Sequence, residues 1–258
     1  MDPTAANPES FQSALSERNR SRLITQIISG LLDSAQAKER KADPNVLKLL
    51  IQAMRSGDSQ IMALLSAEIR KLRISPSVLV DIYLPEAAAS VGAVWHDEQI
   101  DILTATITFA RMQSLLRTTA SNWHADDLMG TRGTILMISP ENDQHTLGAL
   151  VATSQFRRLG ISVTVCLSIS EGRALAEVMR QRYDAVCISI GNKSSLASVE
   201  KLVKGLRRLA NRCPPVLVGG SLPMDLAAVA DLTGADLGTR DVSEAVRFLK
   251  LEALMINN

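Results

Sequence analysis

The stretch Gly133-Thr134-Ile135-Leu136-Met137-Ile138-Ser139-Pro140, followed by Glu141-Asn142-Asp143-Gln144-His145-Thr146-Leu147-Gly148, decides the fold. A short apolar run bounded by Gly and Pro reads as a buried strand, and the polar loop behind it leads into a helix-like pattern. Similar runs recur at 162–167, 185–190 and 216–218, with a weaker one at 236–238, and a helix-like stretch lies between each pair. Five alternating βα units imply a parallel sheet covered by helices on both faces. Right-handed crossovers then predict an α/β domain with a flavodoxin-like, doubly wound, five-stranded parallel sheet.

Upstream the period changes. Residues 1–18 are polar, carry Pro3 and Pro8, and are expected to be disordered. Residues 19–124 read as an all-α bundle of four or five helices. Leu23, Ile27, Ile28, Leu31 and Leu32 recur at helical spacing, and Asp43-Pro44 supplies an N-cap and first-turn proline. Ser56-Gly57-Asp58 marks a break, Ser75-Pro76 opens another helix that Pro85 is expected to interrupt, and a last helix spans about 101–120. Residues 125–132 form a linker, and 133–258 form the α/β domain.

Bulk properties exclude little. The 258 residues carry a net charge of +1, so no concentrated positive field demands nucleic acid. Cys166, Cys187 and Cys213 form no C-x-x-C pair, which suits a reducing compartment. No signal peptide is evident at the N-terminus, and no run is expected to approach the roughly 18 apolar residues of a membrane span. A cytoplasmic location without membrane contact is expected. No phosphate loop and no G-x-S-x-G elbow is present, so an enzyme is not expected.

Open parallel sheets bind ligands at the carboxyl ends of their strands, beside the switch point. The loop after the first strand contains Asp143-x-His145-x-x-Gly148. A neutral imidazole is a good transition-metal ligand, and a neighbouring carboxylate fixes its tautomer and raises its basicity. Gly148, and the Gly219-Gly220 pair after the fourth strand, lack the Cβ that would keep a bulky planar ligand from the backbone.

Residues 134–246 resemble the cobalamin-binding domain of methionine synthase and methylmalonyl-CoA mutase. In that family Asp-x-His-x-x-Gly supplies the lower axial histidine and its carboxylate partner. Ser-x-Leu follows on the third strand and Gly-Gly on the fourth, and the cofactor's nucleotide tail threads between them. The matching residues are Asp143, His145, Gly148, Ser189, Gly219 and Gly220, which implies that His145 ligates cobalt. Gly191 stands where the family has Leu, which implies looser contact with the tail.

The helical half resembles the bundle that caps cobalamin. Val91-Gly92-Ala93-Val94-Trp95 matches a cap motif whose Trp lies over the corrin, although Trp95 also reads as a core aromatic at a helix junction. CarH-type photoreceptors place Glu-His on the following helix, where this chain has Ala105 and Thr106, and Glu98 replaces a Gly. That loss implies a small upper ligand, as in aquo- or hydroxocobalamin, or one from the protein. His96 is a candidate, though it and His124 also read as solvated.

The arrangement over about residues 20–255 resembles the PpaA/AerR antirepressors, cobalamin-binding regulators that act on a repressor of photosynthesis genes. The resemblance implies a sensory protein that relieves repression in response to light or redox state. Its partner would be a transcriptional repressor protein, with DNA contacted through that partner. A corrinoid carrier for methyl transfer, a haem sensor using His145 on iron, and a cofactor-free interaction module are the alternatives. Lys201, Lys204, Arg207, Arg208 and Arg212 form a basic stretch that reads either as a solvated face or as a contact for DNA or an acidic partner.

Overall fold

Asp43 starts the first helix by accepting hydrogen bonds from the Asn45 and Val46 N–H groups, with Pro44 at a position that needs no N–H. The computed structural model describes residues 41–121, 123, 132–141 and 143–251. The expected tail at 1–18, the pattern around 23–32, His124 and nearly all of the linker lie outside them. Helix α1 (Pro44–Ser56) ends at Gly57, whose φ of 68° favours glycine. Arg111 closes that end by donating from Nη1 to the carbonyls of Met54 (3.0 Å) and Arg55 (2.7 Å). Asp58 caps α2 (Ser59–Lys71), Ser75 starts α3 (Pro76–His96), and Asp101 caps α4 (Ile102–Thr119).

Pro85 does not interrupt α3, which corrects the expectation from sequence. A proline inside a helix removes one N–H and crowds the carbonyl four residues back. Here the turn Leu79–Tyr83 is π-helical, and the Leu84 N–H reaches the Leu79 carbonyl, which widens the helix just before the proline. Average hydropathy singles out the same helix. Among the described residues α3 is the one helix long and apolar enough to cross a membrane, with a mean hydropathy of 1.3. Asp81, Pro85 and Glu86 break the apolar run without lowering its average much. Val80, Leu84, Ala87 and Val91 of this helix are buried with Leu50, Met54, Leu65 and Met112 in the core of the bundle.

The α/β domain follows as β1 (Thr134–Pro140), α5 (Thr146–Arg158), β2 (Ser162–Ile169), α6 (Glu171–Arg180), β3 (Ala185–Ser189), α7 (Leu196–Arg207), β4 (Val216–Gly219), α8 (Leu226–Thr233), β5 (Leu237–Gly238) and α9 (Val242–Phe248). All pairings are parallel and the strand order is β2-β1-β3-β4-β5. Successive strand residues face opposite sides, so each run supplies two cores. Leu136, Ile138, Val186, Ile188, Val216 and Val218 face α6, α7 and α8. Ile135, Met137, Ala185, Cys187 and Leu217 face α5 and α9. This explains why the strands read as continuous apolar runs.

Helix α5 serves both halves. Ala149 and Phe156 belong to the sheet's core, whereas Leu147 and Val151 belong to the core of the bundle. At its end the Arg158 guanidinium pairs with Asp81 from the π-helical turn, the side chains 7% and 5% exposed, and lies 4.5 Å from the Trp123 ring. Asp81 Oδ1, Arg158 Nε and Arg158 Nη1 have no partner among the described residues. Deleting one half of such a pair strands a buried charge. Asp81→Ala is expected to lower stability by about 3–5 kcal/mol in urea unfolding, whereas Asp81→Leu with Arg158→Met is expected to be near neutral.

Candidate functional site

The chain leaves β1 toward β2 on one side, and β3 lies on the other, so the loops after β1 and β3 diverge at the switch point. Asp143 sits in the first loop, held by its N–H on the Pro140 carbonyl (3.0 Å), and is 1% exposed. Its Oδ1 accepts from the His145 backbone N–H (2.9 Å) and lies 3.0 Å from His145 Nδ1. Its Oδ2 accepts from the Gly191 N–H at 2.6 Å. One buried carboxylate therefore ties the two loops together and orients the imidazole.

Burial pushes the Asp143 carboxyl up, but the hydrogen bonds from His145 and Gly191 outweigh it and hold it below the usual carboxylate range. The hydrogen bond to Asp143 raises the His145 pKa against the effect of burial. An ionised carboxylate beside Nδ1 selects the Nδ1–H tautomer and leaves the Nε2 lone pair free. Nε2 has no hydrogen-bond partner among the described residues, and the His145 side chain is 46% exposed. Such an imidazole can ligate a metal or take a proton. Among the described residues no three of His, Cys, Asp and Glu converge to hold a bare ion. A lone imidazole fits a metal whose remaining ligands arrive with it, as in a macrocycle.

The glycines divide by what a side chain would meet. A Cβ on Gly148 would meet Ser189 Oγ at 3.7 Å, an ordinary contact, so the first turn of α5 lies close to the end of β3 without needing glycine for packing. The Ser189 hydroxyl makes no hydrogen bond among the described residues. At Gly219 and Gly220 a side chain would meet backbone. A Cβ on Gly219 would stand 2.7 Å from the Thr239 carbonyl oxygen, and one on Gly220 (φ 125°) 2.1 Å from that of Ile190. They let neighbouring strand ends approach each other. Gly191 makes room for His145 itself.

The bundle approaches this edge through α4, where Gln113 Nε2 donates to Thr146 Oγ1 (2.9 Å), next to His145. Thr106 and Ile102 share the Gln113 stripe of α4, and both are exposed. Ala105 faces the bundle core instead, 3% exposed. Of the two positions that diverge from Glu-His, only Thr106 lies on the open stripe, and its hydroxyl donates to the Ile102 carbonyl. Trp95 is 39% exposed near the end of α3, so it is not a core aromatic; Leu103 and Ile107 are exposed as well. His96 is exposed at the end of α3.

The basic stretch is largely paired within its own domain. Lys201 meets Glu171 (3.0 Å), Lys204 meets Glu200 (2.5 Å), Arg207 meets Asp236 (2.9 Å), and Arg212 donates to the Met179 carbonyl. Sequence reasoning missed Gln113, Gly238 and Arg240. Gly238 admits the Leu226 carbonyl, 1.8 Å from where a Cβ would stand. Arg240 holds the loop after β4 by donating to the carbonyls of Gly220, Leu222 and Met224. The positive φ at Gly220 was signalled by its Gly-Gly pair, but nothing local marks Gln113 or Arg240.

Residues 133–247 match the family model described as B12 binding domain. The chain is 34% identical over 183 residues to an uncharacterized 20.5 kDa protein in the bchF-crtJ intergenic region of Rhodobacter capsulatus, covering 70% of this chain and 95% of that protein. The monomethylamine corrinoid protein of Methanosarcina barkeri superposes with a TM-score of 0.63 at 14% identity, covering 81% of this chain and all of that one, which establishes a shared fold.

The two kinds of glycine separate by substitution. Gly220→Ala is expected to cost about 1–3 kcal/mol in chemical unfolding of the ligand-free protein, because the Ile190 backbone must move. Gly148→Ala is expected to stay within about 1 kcal/mol, since it gains helix propensity and meets Ser189 Oγ at an ordinary contact distance.

Proposed function

The chain belongs to the family of the Rhodobacter capsulatus 20.5 kDa protein and carries a B12 binding domain, and from that premise we propose that it is a non-catalytic cobalamin sensor that relieves repression by a transcriptional regulator. The observation that carries the cofactor assignment is the Asp143–His145 pair, with Nδ1 fixed on a buried carboxylate and Nε2 unpartnered among the described residues at the carboxyl end of the sheet. In this reading His145 is the lower ligand to cobalt, and Asp143 holds its tautomer and raises its donor strength. Ser189 and Gly148 border the channel for the nucleotide tail, while Gly219 and Gly220 keep the neighbouring strand ends close enough to shape it. Trp95, Thr106 and Ile102, exposed on α3 and α4, would cover the opposite face of the ring.

Cobalamin bound there would supply a cobalt–upper ligand bond sensitive to light and to oxidation state. The protein's own contribution is to hold one face of the ring by a fixed imidazole and to cover the other with side chains from the bundle. A short threonine at position 106 leaves room for a small upper ligand. A change at that face alters the contacts of α3 and α4, which is the differential interaction that a sensor requires. The regulatory reading is supported by the resemblance to the PpaA/AerR antirepressors and by the position of the relative in the bchF-crtJ intergenic region.

Purified protein loaded with hydroxocobalamin is expected to show a corrinoid spectrum that His145→Ala abolishes or shifts, with at least about a tenfold loss of affinity. Gly148→Ala is expected to weaken cobalamin but not cobinamide, which lacks the nucleotide tail. The regulatory part is tested by measuring affinity for the repressor in darkness and after illumination, with and without cofactor. Equal affinity in all four states would refute it.

A further inference from the structure

Gly191 serves His145 in two ways. Its N–H donates to Asp143 Oδ2 at 2.6 Å, which helps fix the carboxylate that holds the imidazole. Its α-carbon also leaves a space that the histidine occupies. A Cβ at position 191 would lie 2.1 Å from His145 Cβ, 2.5 Å from Cγ and 3.0 Å from Nδ1. The nearest of these atoms, His145 Cβ, does not move with the side-chain torsions, so a change of rotamer does not clear the collision. The backbone does not itself ask for glycine here, because the glycines with positive φ are Gly57, Gly160, Gly220 and Gly234. The three atoms nearest to where a Cβ would stand all belong to His145, which is enough to account for the missing side chain.

We propose that Gly191 is a positioning residue for the lower ligand. Its bare α-carbon seats the His145 side chain at the carboxyl end of β3, and its N–H locks the carboxylate behind it, so Nε2 is aimed before any cofactor arrives. A residue at this position therefore acts on the ring's ligand and not on the nucleotide tail. Gly148 differs, because a Cβ there would meet only Ser189 Oγ at an ordinary contact distance of 3.7 Å. A ligand aimed in advance loses less freedom on coordination, which raises affinity without a new contact. This inference rests on His145 ligating cobalt.

The test uses the full chain with Gly191→Ala, titrated with cobalamin and with cobinamide. Visible absorption is recorded, and electron paramagnetic resonance of the cobalt(II) form of the cobinamide complex, which has no nucleotide base of its own, reports whether a protein nitrogen is bound. The expected result is loss or weakening of the nitrogen signature and a similar drop in affinity for both corrinoids, about tenfold or more. A drop for cobalamin alone with the nitrogen signature intact would mean a tail contact and overturn the proposal, as would no change for either.

A second measurement needs no cofactor and covers the case in which Gly191→Ala alone folds poorly. Its melting temperature is expected to fall in the wild-type background and to be unaffected in a His145→Gly background, where the colliding atoms are gone. An equal fall in both backgrounds also overturns the proposal. His145→Ala separates the two levels. If that variant keeps its nitrogen signature, the ligand assignment under Proposed function fails. If it loses the signature while Gly191→Ala keeps it, only the role of Gly191 fails.

Discussion

The site depends on one buried carboxylate. Asp143 is removed from water yet ionised, and it stays so because three donors converge on its two oxygens: the His145 ring, the His145 N–H and the Gly191 N–H. Without those partners burial would favour the neutral acid, so the hydrogen bonds are what keep the carboxylate ionised. Because the donors come from the loops after β1 and β3, the carboxylate also closes the gap that a doubly wound topology leaves at its switch point. The fold opens a crevice there, and Asp143 determines which side chain stands in it.

Much of this was legible in the sequence because it is local. Strand runs bounded by Gly and Pro, caps such as Asp43, Ser75 and Asp101, and the Asp143-x-His145 spacing all depend on residues close in sequence. What was not legible depends on residues brought together by the fold. Gly191 read as a departure that loosens a tail contact, because nothing along the chain shows that His145, 46 residues earlier, lies against its α-carbon. Gly219 and Gly220 read as room for a ligand, whereas they admit the backbones of Thr239 and Ile190. Pro85 read as an interruption, because the local rule assumes α-helical spacing and the preceding turn is π-helical.

Helix α5 makes the site more than a crevice at one end of a sheet. It starts at the residue after His145 and ends at Arg158. Between them, Leu147 and Val151 lie in the bundle's core and Ala149 and Phe156 in the sheet's. At its start Thr146 accepts from Gln113 of α4, and at its end Arg158 pairs with Asp81 of α3 against Trp123. A closely packed helix moves as a unit. The imidazole and both contacts with the bundle are thus carried by one element or by the residue before it.

That arrangement constrains any signal that leaves the site. Coupling needs an element with two arrangements whose balance the ligand biases. The Arg158–Asp81 contact has features suited to such an element. It is buried, it leaves Arg158 Nε and Nη1 and Asp81 Oδ1 unsatisfied among the described residues, and it sits in a π-helical turn. A buried ion pair that is only partly satisfied adds little net stability, since desolvation opposes its attraction. The two halves are joined firmly by apolar packing along α5, while the polar contacts at its ends specify how they are joined.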